Sequence, residues 1–237
     1  MVLRTATVDP PQANRQQVFR IHVLGAESTG KSSLSDALSQ RLRSHNNAVT
    51  CVTESLRHWV EIHGRTPIAE EQAALAQQQE QAIAQACLEL ALQPNPMRWV
   101  LADTSPLMTA AYSAHYFNDH SLWDKVMDFE STADLRLLMG LDLPWKPDVG
   151  QRDGPAHQKA VDVLLRHALQ SRGLPFTVIY GQGEARTQAA WRAIQSTLQA
   201  RNNTNREHQA TRRNWRALCE CCADPDCELA LFSQRST

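Results

Sequence analysis

One stretch constrains this chain more than any other. Gly25-Ala26-Glu27-Ser28-Thr29-Gly30-Lys31-Ser32 fits the pattern G-x-x-x-x-G-K-[ST]. Before it, Val18-Phe19-Arg20-Ile21-His22-Val23-Leu24 alternates and ends apolar, as a buried strand does. After it, Leu34, Ala37, Leu38 and Leu42 share one helical face. Strand, glycine loop and helix are the context in which this pattern cradles phosphate. Gly25 and Gly30 permit backbone angles that a Cβ penalises, so successive N–H groups can turn inward around phosphate oxygens. The helix adds its free N-terminal amides and the positive end of its dipole. The loop residues Gly25, Ala26, Glu27, Ser28, Thr29, Gly30, Lys31, Ser32 and Ser33 are therefore expected to bind ATP. Lys31 would reach the β- and γ-phosphates and the Ser32 hydroxyl would ligate Mg²⁺; Ser33 is the lesser metal candidate, because the motif's hydroxyl directly follows the lysine.

Composition bounds the rest. A length of 237 residues suits one α/β domain with appendages, and 42% apolar content is enough for a sizeable core. The formal net charge of −1 gives no field directed at nucleic acid or anionic membranes. No stretch approaches the ~20 apolar residues of a membrane span, and the N-terminus has no signal-peptide core. A cytoplasmic protein is expected, without nucleic-acid or membrane partners; the composition leaves oligomeric state open. Cys51 and Cys87 lie within apolar patterns as buried thiols, whereas Cys219, Cys221, Cys222 and Cys227 crowd the C-terminal end.

Along the chain, residues 1–16 read as a loosely attached leader, 17–200 as the domain and 201–237 as a cysteine-rich tail. Strands are expected at 18–24, 48–53, 98–102, 135–140 and 175–180. Helices are expected from Glu54, over 68–92, 107–116, 122–129, 156–171 and 186–200. Residues 143–155 are too rich in Pro and Gly for regular structure. Strands alternating with helices imply an α/β fold, a five-stranded parallel sheet covered by helices on both faces with right-handed crossovers. Its ligand would sit at the carboxyl ends of the strands. The glycine loop, Glu54, Asp103 and the Pro/Gly segment all follow strand ends, so they can face one cleft.

Each of these residues has two readings. Glu54 is placed either to take a proton from a hydroxyl attacking the γ-phosphate or to favour a helix start. Arg57, one turn on, would hold an anion or Glu54, or lie on the surface. Asp103 ends an apolar strand as a Mg²⁺-binding aspartate does, and Asp-Thr-Ser is also good helix-capping chemistry. Arg152, flanked by Asp148 and Asp153, is a cation that would arrive when a loop closes over the site, or a solvated loop arginine. Gly181-Gln182-Gly183-Glu184-Ala185-Arg186 would lie near the adenine or form an ordinary turn. Cys219, Cys222 and Cys227 combine C-x-x-C spacing with a third thiol, which suits structural Zn²⁺, against free thiols in a tail.

Taken together, Leu24 to Ser32, Thr53-Glu54-Ser55-Leu56-Arg57, Ala102-Asp103-Thr104, Leu143-Pro144-Trp145 with Asp148 and Arg152, and Gly181 to Arg186 give a recognisable order. Over about residues 17–200 the chain resembles the ribosylnicotinamide kinase domain of bacterial NadR-type proteins, P-loop NTPases related to nucleoside and nucleoside-monophosphate kinases. The resemblance implies ATP·Mg²⁺-dependent phosphorylation of a nucleoside-like 5′-hydroxyl, with nicotinamide riboside the leading acceptor. In it Lys31, Glu54, Asp103 and Arg152 would carry the chemistry, with Ser32 and Asp103 on the metal. Two departures stand out. The adenylyltransferase H-x-G-H motif of full NadR is absent, so no dinucleotide synthesis is expected. The lid reads Asp148-Val149-Gly150-Gln151-Arg152, one residue longer than the family's Asp-Gly-x-Arg. A kinase of another nucleoside or nucleotide, and a nucleotide-dependent regulator, remain alternatives. Trp59, Tyr112 and Tyr116 are candidates for stacking a flat ring.

Overall fold

The computed structural model describes residues 18–95, 97–146 and 154–203 with their side chains, and the helical backbone of 204–220. The leader at 1–16, Asp148, Arg152, Asp153, Cys221, Cys222 and Cys227 lie outside the described residues.

Among the described residues, five strands make one parallel sheet: β1 (Phe19–Leu24), β2 (Ala48–Val52), β3 (Arg98–Asp103), β4 (Leu135–Met139) and β5 (Thr177–Ile179). Its spatial order is β2-β3-β1-β4-β5. β1 pairs with β3 from Phe19↔Trp99 to Val23↔Asp103 and with β4 from Ile21↔Leu135 to Leu24↔Leu138. β2 pairs with β3 up to Val52↔Ala102 and then leaves the sheet. The central strands are buried on both faces, as parallel strands between helical layers are.

The helices are α1 (Lys31–Arg43), α2 (Ser55–His63), α3 (Ala69–Ala91), α4 (Pro106–Phe117), α5 (Trp123–Glu130), α6 (Gly154–Ser171) and α7 (Gly183–Glu220). From β1 the chain steps outward to β2 and then returns across the sheet. Right-handed crossovers therefore put α1 on one face and α2 to α6 on the other. On the α1 face, Leu34, Leu38 and Leu42 recur at helical spacing and are buried, each contributing about 1.5–3 kcal/mol of apolar burial. Trp191 of α7 joins them there, lying under the Arg41 guanidinium at 4.6 Å and against His45. On the opposite face, Ile83, Ala86 and Leu90 of α3 pack on Val52, Val100 and Ala102, and α4 and α6 build the larger cluster around Leu107, Ala111, Leu138 and Leu165.

That second face also buries a polar knot. The Glu130 carboxylate, fully buried, meets His22 Nδ1 at 3.1 Å, accepts from Ser105 Oγ at 2.6 Å and lies 3.3 Å from Arg136 Nε. Burial alone would push its pKa up, but His22, Ser105 and Arg136 outweigh that and hold it below its usual range. The knot ties β1, β4 and the start of α4 together beneath the carboxyl ends of the strands.

The chain divides into two compact units, Met1–Trp191 and Arg192–Thr237. In the second, α7 continues as helix to Glu220, so the backbone of Cys219 is helical. The helix expected to stop at Ala200 runs on because residues 201–220 contain neither Gly nor Pro.

Candidate active site

The loop between β1 and α1 has the backbone its glycines foretold. Gly25 has φ 150° and Gly30 φ 79°, and Ser28 joins them in the left-handed region at φ 56°. A Cβ on Gly25 would stand 2.8 Å from Met139 Cβ and 3.0 Å from Thr29 Oγ1, so the loop passes too close to β4 for any side chain. Gly30 is the N-cap of α1 and brings no capping side chain, and no acid occupies the first turn. The positive end of α1 is thus left for an outside anion. Lys31, 9% exposed, donates from Nζ to the Ala26 carbonyl at 3.0 Å, and Thr29 Oγ1 donates to the same oxygen at 2.6 Å.

The loop is braced from three sides. Gln158 of α6 donates to the Glu27 carbonyl at 2.8 Å. Ser28 Oγ donates to the Lys146 carbonyl. Arg186, 4% exposed, donates to the Thr29 carbonyl, to Gly140 O at 3.3 Å and to Ile179 O at 3.5 Å, and pairs with Asp142. The Gly181–Arg186 turn is therefore not an ordinary connector: its arginine points under the phosphate loop. Gln182 of that turn, with Ser28, Gly30, Leu143, Pro144 and Lys146, lines a hollow of about 360 Å³ on this side of the loop.

On the other side a larger cavity, about 680 Å³, is lined by Glu27 to Ser33, Glu54, Leu56, Arg57, Val60, Glu61, Gly64 and Tyr112. Glu54 stands at the N-cap of α2, yet its side chain makes no capping hydrogen bond. It faces Arg57 instead, whose Nη2 is 3.9 Å from Glu54 Oε2 and 3.4 Å from Ser32 Oγ. Asp103 is 6% exposed, and its Oδ1 is buried with no hydrogen-bond partner. The capping alternative fails for it, because α4 is capped by Ser105, whose Oγ accepts from Leu107 N at 3.3 Å. Asp103 is not among the residues lining the cavity; it pairs in register with Val23, two residues before the loop, and its unpartnered buried oxygen is donor chemistry that fits a Mg²⁺ ion. Thr104, the next residue, has φ 87°, an unfavourable conformation for a β-branched side chain.

Of the ring candidates, Tyr112 lines the cavity. Trp59 belongs to a surface group, stacked on His63 at 4.0 Å and under the Arg65 guanidinium at 4.8 Å. Tyr116 is 42% exposed and stacks on His157 at 5.9 Å. Cys51 and Cys87 are half-buried rather than buried. Desolvation, with Asp103 and Asp36 adding to it, pushes the Cys51 thiol up to about 11. Among the described residues, no cluster of three or more His, Cys, Asp or Glu could hold a metal ion, and no helix is long and apolar enough to cross a membrane.

Sequence reasoning missed Gln79, whose amide joins the ends of β2 and β3, and Gln158. The signal for both was present: each is a polar residue on the apolar stripe of its helix, beside Leu75, Ala76 and Ile83 in α3 and Val161 in α6.

No curated protein sequence matches the chain. Solved structures share its fold. A NadR protein in complex with NAD and AMP-PNP aligns with TM-score 0.58 at 20% identity, over 77% of this chain and 50% of that one. A NadR protein in complex with NR gives 0.58 at 19%, again over 77% and 50%. Thymidylate kinase from Ehrlichia chaffeensis gives 0.55 at 16%, over 76% of this chain and 98% of that one. The chain thus aligns to about half the length of the NadR proteins. The fold is that of P-loop nucleoside and nucleotide kinases. The AAA domain model AAA_28 matches residues 20–186, from the first residues of β1 to the arginine beneath the phosphate loop, and the chain belongs to that family.

Proposed function

We propose that the chain transfers the γ-phosphoryl group of ATP to a hydroxyl of a nucleoside-like acceptor, with nicotinamide riboside the leading candidate. One observation carries this reading: Lys31, Ser32 and Glu54 line a single cavity that runs on, past the phosphate loop, to an apolar wall of Leu56, Val60 and Tyr112. A site for hydrolysis alone needs room for water beside the phosphates; a cavity that extends past the loop to this wall supports a second substrate.

In this mechanism the amides of residues 25–33 and the Lys31 ammonium hold the triphosphate, Lys31 exchanging the Ala26 carbonyl for phosphate oxygens. Ser32 and Asp103 would hold Mg²⁺, which when bound neutralises charge on the β- and γ-phosphates. Glu54, held by Arg57, takes the proton of the acceptor hydroxyl as the phosphoryl group moves to it. Arg152 is assigned to closure, where a cation adds charge stabilisation and excludes water. Structural Zn²⁺ at Cys219, Cys222 and Cys227, against free thiols in a tail, is a separate proposal that rests on their spacing and takes no part in transfer. The cavity wall supports an uncharged or cationic acceptor: past the loop it offers Glu54 and Glu61 against the single cation Arg57, among the described residues.

A nucleoside-monophosphate acceptor is the second reading, favoured by the alignment over nearly the whole of a thymidylate kinase. ADP release from ATP·Mg²⁺, measured against nucleosides and nucleoside monophosphates with a no-acceptor control, separates the two. Stimulation by nicotinamide riboside is the expected result; acceptor-independent turnover would point to a nucleotide-dependent regulator. Glu54→Gln should cut kcat by about 10²–10⁴-fold with ATP affinity nearly intact, and unchanged transfer would remove Glu54 as the base.

A further inference from the structure

Gln79 lies on the α3 face that also buries Gln72, Leu75, Ala76, Ile83, Ala86 and Leu90, and it is 2% exposed. A primary amide on an apolar face is unfavourable unless its groups are bonded. Every partner here is backbone. Oε1 accepts from the Ser55 N–H at 2.7 Å, and Nε2 donates to the carbonyls of Thr53 at 3.3 Å and Thr104 at 3.4 Å. Thr53 and Ser55 flank Glu54; Thr104 follows Asp103.

Sheet pairing does not fix these two strand ends against each other. The β2–β3 ladder stops at Val52↔Ala102, whereas β3 continues beside β1 to Val23↔Asp103. Past Ala102 the segment bearing Glu54 has left the sheet, and the Gln79 amide spans the gap. It also holds the carbonyl of Thr104, whose φ of 87° is costly without such support.

We infer that Gln79 is a positioning residue that fixes where Glu54 stands relative to Asp103, joining the ends of β2 and β3 where their ladder stops. It is not among the residues lining the large cavity; it borders a small adjoining recess with Glu54, Leu56 and Tyr112, and all three of its hydrogen bonds go to backbone. The inference rests on the phosphoryl-transfer reading, in which the two carboxylates serve one phosphate.

Two substitutions in the full chain test it. Gln79→Met keeps side-chain length and removes all three bonds. Gln79→Glu keeps an acceptor for Ser55 but turns an oxygen toward two carbonyls. Three quantities are read: amide exchange at Ser55 by NMR, AMP-PNP affinity with and without Mg²⁺, and kcat against KM for ATP. In Gln79→Met, Ser55 exchange should accelerate at least about tenfold while α1 and β1 amides keep their protection. AMP-PNP affinity without Mg²⁺ should stay within about twofold, and the tightening that Mg²⁺ gives should shrink by about fivefold or more. kcat should fall about 10–100-fold with KM for ATP nearly unchanged. Gln79→Glu should keep Ser55 protected and lose the Mg²⁺ effect, and it decides the matter if the methionine variant does not fold. Wild-type Mg²⁺ tightening and wild-type kcat per folded molecule in either folded variant would overturn the inference, leaving Gln79 a core residue. A wild-type chain that no acceptor stimulates would instead overturn the kinase reading, while the exchange and Mg²⁺ measurements still decide Gln79.

Discussion

Gly25 shows how tightly the phosphate loop is specified by single residues. Its φ of 150° and the 2.8 Å approach a Cβ would make to Met139 mean that Gly25→Ala must push the loop off β4. We expect a loss of about 1–3 kcal/mol in stability, and a drop in ATP affinity of more than tenfold, measured by thermal unfolding and calorimetry. Cys51 makes the converse case, a residue whose chemistry is suppressed. With its thiol pushed up to about 11, chiefly by desolvation, less than one part in a hundred is thiolate at pH 8. Alkylation at Cys51 should be negligible at pH 8 and rise only as the pH passes about 10, read by mass spectrometry of the modified peptide. The residues legible in the sequence were those whose meaning is set by neighbours in the chain, Lys31 after Gly30 and Asp103 at a strand end. Gln79 and the inward turn of Arg186 were not: the Gln79 partners lie 24 to 26 positions away, and Arg186 reaches Asp142 and the Thr29 carbonyl 44 and 157 positions away.

The elements followed from the chain's periodicity with few changes, and the differences have physical causes. β5 holds three residues rather than six because β4, its one neighbour, offers partners only from Leu137 to Met139. α7 opens at Gly183, three residues before the start expected at Arg186, where the pair of glycines reads as a turn; Gly183 itself has φ 50°. The start of α3 is fixed by electrostatics: Glu71 accepts from Ile68 N at 2.9 Å and pairs with Arg65 at 2.7 Å. The Arg65 hydrogen bond, then that of Ile68, lowers Glu71 from 4.5 to about 2. Because the folded value is the lower one, the pairing supports the helix start above pH 4.5 and is lost as pH falls from there through about 2. A carboxyl NMR titration should find a midpoint near 2, with first-turn amides of α3 exchanging faster only below pH 4.5. α2 has no fully buried residue, although Leu56, Arg57 and Val60 line the cavity. Among the described helices, the one that walls the larger cavity thus has the least buried packing.

At the scale of the whole domain, the order β2-β3-β1-β4-β5 places the phosphate loop at the centre and sorts the rest of the site to either side. Glu54, Asp103 and the α2 wall lie toward β2 and β3; Leu143, Gln182 and Arg186 lie toward β4 and β5. The topology therefore predicts two separable halves. Val60→Trp, which fills the larger cavity, should raise KM for the acceptor at least tenfold with little change for ATP. Gln182→Trp, in the smaller hollow, should do the reverse, and steady-state kinetics with both substrates varied reads both. This division was legible in outline, since βαβ alternation dictates a cleft at the strand ends. Which residues wall which half was not, because that depends on where the chain leaves the sheet after β2.

Thr104 points to a tension in how such a chain can change. A threonine at φ 87° is a strained residue directly behind a carboxylate whose Oδ1 is buried without a hydrogen-bond partner, so two neighbouring positions each detract from stability at the place where the proposed transfer puts a metal ligand. Selection for heat resistance alone would reach this peptide early, since glycine relieves the first and an uncharged side chain the second. If the proposed transfer holds, a thermostabilised descendant that altered both would be a sounder scaffold and a poorer catalyst. The molecule's margin of stability would then be set, in part, by what that reaction asks it to tolerate.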